Sequence, residues 1–334
     1  MNSVRPVRLP ANQPPRFYRG GAAIAALRGA PNVEYGPEDW VASCTTLYGE
    51  VSAGLSTLPD GKWLRDAIAA EPERWLGPDA GTEPALLVKL LDAGQRLPVH
   101  CHPSDSFAQQ HLSSHYGKTE AWIIVGTTGS EPTVHIGFQE DQDPGTIADW
   151  VARQDTDAML GALNATTVSA GDTVFVPAGV PHAIGEGVFI VELQQPTDLS
   201  VMLEWTGFMD NEEGGHLGIG YPTALHCVDR SSWKDRLNTI VHRAHQIGQV
   251  HDLFGVLAKD FLRAQRLSVR DRVELEPGYS VLVVLDGDAE LTTEDGDILL
   301  LRKGETLVVP YAAGALSIAG RLTAIRCMPP EVAT

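Results

Sequence analysis

Residues 171–187 read GDTVFVPAGVPHAIGEG. Gly171 supplies a turn, Thr173 to Val176 suit a short strand, and the Pro177–Gly179 turn brings His182 to the start of the next strand. Upstream stands Gly94-x5-His100-Cys101-His102. Alternate residues of a strand face the same side, so His100 and His102 project together into one interior. Imidazole nitrogen is a common ligand of zinc and other first-row metals. A fourth, carboxylate ligand is expected, and Glu120 is the candidate, because it opens a strand after Gly117-Lys118-Thr119. Three nitrogens and one oxygen suit Zn2+, but also manganese, iron(II) or nickel.

Outward from this core, 334 residues suggest two domains. The 33 glycines and 22 prolines punctuate strand-like runs along the chain, which favours a β-rich protein. A net charge of −18 speaks against nucleic acid as a partner and gives no reason to sit on an anionic membrane. Cys44, Cys101, Cys227 and Cys327 match neither a CxxC site nor a disulfide framework, so they read as reduced thiols. The N-terminus lacks the apolar core of a signal peptide, and no apolar run is long enough to span a bilayer. The expectation is a cytoplasmic protein.

Helices are expected over 62–76, in two pieces over 145–164, and over 233–247; strands are expected over 84–92 and 120–126. Residues 1–20 read as extended and 210–220 as a Gly-rich acidic loop. From about 257 onward the chain alternates apolar runs with Gly or Asp turns, and Asp286-Gly287 within VLVVLDGDAEL predicts a hairpin. Gly304-ETLVV-Pro310 echoes Gly171-DTVFV-Pro177, so two similar β units in one chain are expected.

The paired patterns G-x5-HxH and G-x5-P-x-G-x2-H match the cupin motifs, with residues 103–116 inserted before the glutamate. LLVKLLDAGQRLPVHCHP (86–103), GKTEAWIIVG (117–126), GDTVFVPAGVPHAIGEG (171–187) and VELQQPTD (191–198) together resemble the type I mannose-6-phosphate isomerases in their short bacterial form. The resemblance is strong over roughly 84–205 and fades toward both ends. It implies a mainly β fold of two cupin (jelly-roll) β-barrels with a helical insertion. The metal-bearing unit is expected over 1–208, a helical connection over 209–256 and a metal-free barrel over 257–334.

The resemblance also implies roles. His102, Glu120 and His182 align with metal ligands, and His100 stands where the family usually has glutamine. Lys118 aligns with the lysine of GKTE near the substrate, and Glu192 with an active-site carboxylate. Two departures stand out: Met202 occupies the position of a family arginine, and EWTGF lacks a further basic residue. The implied activity is aldose–ketose isomerisation of mannose 6-phosphate and fructose 6-phosphate, or of a related sugar, through a cis-enediol. Such chemistry needs a base near C1 and C2 and a group that stabilises the enediolate oxygens. Glu192 and a metal-bound water are the candidate bases. The partner is a small sugar or sugar phosphate. Loss of the arginine keeps a non-catalytic carbohydrate-binding cupin in play, and the His/Glu set keeps an iron-dependent oxygenase.

Overall fold

A computed structural model describes residues 5–78, 80–245 and 248–331. In chain order the strands of the first part are β1 (Val7–Arg8), β2 (Glu38–Val41), β3 (Leu87–Asp92), β4 (His100–Cys101), β5 (Glu120–Thr127) and β6 (Thr133–Phe138). They continue as β7 (Leu163–Thr167), β8 (Thr173–Val176), β9 (His182–Ile184), β10 (Val188–Gln194), β11 (Val201–Met202) and β12 (Val241–His242). The remainder are β13 (Val250–Asp252), β14 (Arg263–Val269), β15 (Arg272–Leu275), β16 (Ser280–Thr293), β17 (Ile298–Arg302), β18 (Thr306–Val309) and β19 (Leu316–Met328). The protein is mainly β and every strand pairing is antiparallel, as expected. None of the three sheets closes into a hydrogen-bonded barrel among the described residues.

Two sheets frame the first half: six strands in the order β12-β8-β5-β10-β3-β2, and five in the order β11-β4-β9-β6-β7. The outer face of the five-stranded sheet is covered by α5 (Pro144–Arg153) and α6 (Thr156–Ala162), whose Ile147, Val151 and Met159 join Val99, Cys101 and Ala183 in one apolar cluster. Strand alternation then turns His100 inward. The two helices replace a single run because Gln154 is left-handed (φ 52°) and Asp155 caps the second helix through Ala158 N–H. The helix expected over 62–76 is likewise split, into α2 (Leu64–Ala70) and α3 (Pro72–Leu76), since a residue before proline disfavours the helical region.

Two expectations fail. Residues 233–247 hold only a 3-10 turn, Lys234–Thr239, followed by β12; residues 246–247 lie outside the described residues. Ile240 leaves the helical path because its carbonyl accepts from Phe175 N–H (2.7 Å) while Val241 and His242 extend the sheet beside β8. Asp286-Gly287 is not a hairpin but sits at a β-bulge inside the fourteen-residue β16. Gly287 takes φ 83°, and a Cβ there would lie 2.2 Å from Arg321 O. The bulge bends β16 where the first half breaks its chain between β5 and β6.

The second half is an eight-stranded sheet with the path β1-β18-β16-β19-β14-β13, to which β15 and β17 add. Strand for strand, this repeats β12-β8-β5-β10-β3-β2. The echoed segments correspond structurally: Gly171 (φ 94°) leads into β8 and Gly304 (φ 82°) into β18, each strand ending at a proline. No helix among the described residues is long and apolar enough to cross a membrane.

Candidate metal centre

His100, His102 and His182 are buried, and one ligand atom from each lies within 4.8 Å of the others. His100 is paired with His182 across β4 and β9. Each ring commits its Nδ1 to a main-chain carbonyl: His100 to Pro98 (2.8 Å), His102 to Leu199 (3.0 Å) and His182 to Val180 (2.9 Å). A carbonyl can only accept, so each Nδ1 carries the proton and each Nε2 of a neutral ring presents a lone pair. Burial and the adjacent imidazoles hold His100 well below its ordinary pKa. Burial and the Lys118 ammonium hold His102 down at about 3. Both rings are therefore neutral ligands at pH 7.

Glu120 enters from β5 on the facing sheet. Its Oε2 is 3.0 Å from His102 Nε2 and its Oε1 is 3.4 Å from His182 Nε2. Burial opposes its charge, but Lys118 and the histidines outweigh this and hold the carboxyl well below the usual range. Lone pairs of imidazole and carboxylate thus face one another at near contact, which costs free energy unless a cation lies among them. Lys118 meets part of that demand: its Nζ is 3.0 Å from Glu120 Oε2 and 3.1 Å from His102 Nε2. His182 Nε2 is buried with no hydrogen-bond partner. The four side chains fit a divalent cation by donor chemistry, orientation and charge.

A second polar group flanks the first. Glu192 on β10 pairs with Trp122 on β5 and with Lys89 on β3, and Lys89 pairs with Trp40 on β2, so all four lie on one cross-strand line. Lys89 Nζ is 3.3 Å from Glu38 and 3.6 Å from Glu192. Burial pushes the Glu192 carboxyl up to about 8, against the pull of Lys89. Glu38 goes the other way: burial works against its charge, but Arg16 and Lys89 outweigh it. Glu38 also accepts from Tyr18 and from Trp40 Nε1. Arg16 grips Asp198 in a two-pronged pair of 3.0 and 3.2 Å and stands 3.2 Å from Glu38. Arg16, Lys89, Lys118, Glu192 and Met202 line one cavity beside His100 and Glu120.

Lys118 and Glu192 thus both reach this cavity, although Glu192 is paired with Lys89 and not with Lys118. The sequence reading passed over Arg16, Glu38 and Lys89. Lys89 carried a usable signal, since a lone lysine in the apolar run LLVKLLD has to find a buried carboxylate.

Among curated proteins, a mannose-6-phosphate isomerase of Streptococcus mutans is 28% identical over 294 residues, covering 84% of this chain and 87% of the relative. One from Bacillus subtilis is 25% identical over 239 residues, 70% of this chain and 72% of the relative. Over most of its length the chain is thus similar to mannose-6-phosphate isomerases. No family model matches it. The fold agrees: the crystal structure of a Bacillus subtilis mannose 6-phosphate isomerase superposes with a TM-score of 0.76 over 97% of this chain and 99% of the other, at 20% identity. Against the family pattern, Met202 leaves its position without charge, while Arg16, Lys89 and Lys118 reach the cavity paired with the carboxylates Glu38, Asp198, Glu192 and Glu120 that line it with them.

Proposed function

We propose that this protein is a metal-dependent aldose–ketose isomerase that interconverts mannose 6-phosphate and fructose 6-phosphate, or a closely related sugar, through a cis-enediol. The observation that carries this reading is the convergence of three Nε2 lone pairs and the Glu120 carboxylate, with Lys118 and Glu192 beside them in one cavity. His100, His102, Glu120 and His182 hold the ion, and zinc is the proposed metal because imidazole nitrogen and carboxylate oxygen are both among its usual donors. The ion supplies Lewis-acid polarisation of the sugar's carbonyl and hydroxyl oxygens.

The chain's own groups do the rest. Glu192 shuttles the proton between C1 and C2; a pKa near neutrality is what a general base requires. Lys118 donates to a sugar oxygen and steadies negative charge there. Trp122 donates to Glu120 Oε1 (2.9 Å), which fixes the orientation of that carboxylate. Arg16 and Lys89, already paired with Asp198, Glu38 and Glu192, offset the charge of those buried carboxylates on the cavity wall. The proposed setting is cytoplasmic, in keeping with four free cysteines.

The test is to measure bound metal and follow a panel of phosphorylated and free sugars by NMR in deuterated water. Interconversion with solvent deuterium entering C2 is expected, and in preparations stripped of metal it should stop. Binding without exchange would point to a sugar sensor, and oxygen consumption with iron to an oxygenase; either outcome overturns the isomerase reading.

A further inference from the structure

The second sheet repeats the first in register as well as in order. In the first half Val174, third after the turn glycine, pairs with Trp122, which pairs with Glu192, which pairs with Lys89. In the second half Leu307, third after Gly304, pairs with Leu282, which pairs with Arg326, which pairs with Gln265. Arg326 therefore occupies the place of Glu192, and Ser280 the place of Glu120. Its neighbours on the same face of β19, Ala324 and Leu322, belong to the second sheet's own apolar core. Where the first half carries a buried carboxylate beside its cavity, the second half carries a buried guanidinium.

This arginine is 5% exposed, yet no carboxylate among the described residues comes within ion-pair distance of it. Nε donates to Ser280 Oγ (3.3 Å) and Nη2 to the Glu276 carbonyl (2.7 Å); Nη1 donates to no described group. Burial and nearby Arg263 bring its pKa down to about 10, which leaves it cationic at neutral pH. Its hydrogen bonds go to neutral acceptors alone, and the nearby Glu276 carboxylate favours the charge without forming an ion pair, so the burial is only partly compensated. Arg326 lines a cavity of about 800 Å3, shared with Tyr279, Tyr311, Phe254, Met328 and Lys259. That is the size and mixed lining of a small-molecule site. Four acidic residues also line it, all exposed: Glu276 carries no ion pair among the described residues and lends Arg326 some favourable charge from a distance, and the other three are engaged elsewhere. Asp252 accepts from Gln265 (3.0 Å), Glu331 is 3.5 Å from Arg263, and Glu274 is 3.8 Å from Arg272.

We propose that this cavity is a second binding site, separate from the metal centre, for a small organic oxyanion, a carboxylate or phosphate monoester whose head meets Arg326 and whose body lies against the aromatic wall. The assignment does not depend on the isomerase reading. Methionine-methyl NMR tests it, because Met328 lines this cavity and Met202 lines the metal centre. The probes are benzoate, phenyl phosphate and, as the neutral counterpart, benzyl alcohol; comparing the two anions separates carboxylate from phosphate preference.

Saturable shifts of Met328, with Met202 unmoved, are expected for at least one anion. Arg326→Gln should weaken that binding by about ten- to a hundredfold, the worth of a buried charge-assisted contact. Three results would each overturn the assignment: Met328 silent to both anions, unchanged affinity in the variant, or benzyl alcohol binding as tightly as the anions. The last comparison needs only the wild-type protein and stands even where the variant fails to fold.

Discussion

Three carbonyl oxygens, from Pro98, Val180 and Leu199, decide what the histidines can do. They fix each ring's tautomer, so the lone pairs point at one another before any ion arrives. Lys118 Nζ takes up two of the acceptors that a metal needs, one on Glu120 and one on His102. Metal and ammonium would compete for the same lone pairs, so a bound ion would release the Lys118 ammonium from them. Glu192 gives the first prediction at this scale. Its folded pKa is raised, so its basic form grows as pH climbs toward about 8. The profile of kcat/KM should therefore rise on its acidic limb, and a bound divalent ion, which favours the carboxylate, moves that limb below 8. Glu192→Gln should lower kcat by about 10²–10⁴-fold and erase the limb, read from a pH–rate series. The clustering of His100, His102 and His182 was legible because strand alternation and glycine turns are local rules. Arg16 was not, because nothing near residue 16 says that the chain will cross to Asp198.

Among the elements, β16 shows how far a local signal can mislead. Asp-Gly between apolar runs is shared by two-residue hairpins and by bulges, since both need a left-handed residue. The choice is made by β19, which pairs with β16 on both sides of the irregularity and so keeps the strand running. Similar tertiary demands unwound the helix expected after residue 233, where β8 needed an edge partner. β3, β5 and β8, short and buried along most of their length, were plain in the sequence. At Gly287 a side chain meets both a left-handed backbone and the Arg321 carbonyl. Gly287→Ala should destabilise the fold by about 2–4 kcal/mol, seen as a lower urea midpoint at an unchanged slope.

Across the whole molecule, the first and last parts of the chain are stitched together. β1 pairs with β18, so Val7 and Arg8 belong to the second sheet, while Arg16, eight residues on, reaches the metal centre. Arg28, in α1 (Ala23–Arg28), seals the seam. It lies 3.1 Å from the fully buried Asp39 and donates to the carbonyls of Gly304 and Leu9 and to Thr306 Oγ1. Arg28→Met strands the Asp39 charge and should cost about 3–5 kcal/mol of stability, measured by equilibrium unfolding. These long-range pairings were invisible in the sequence, where residues 1–20 show only an extended, proline-containing stretch. Because β1 covers the open side of β18, a cut made between the sheets would bare a strand ready to pair with a neighbouring molecule and leave the opening residues dangling. Neither half is a natural fragment for expression, and truncation experiments on this protein should leave β1 in place.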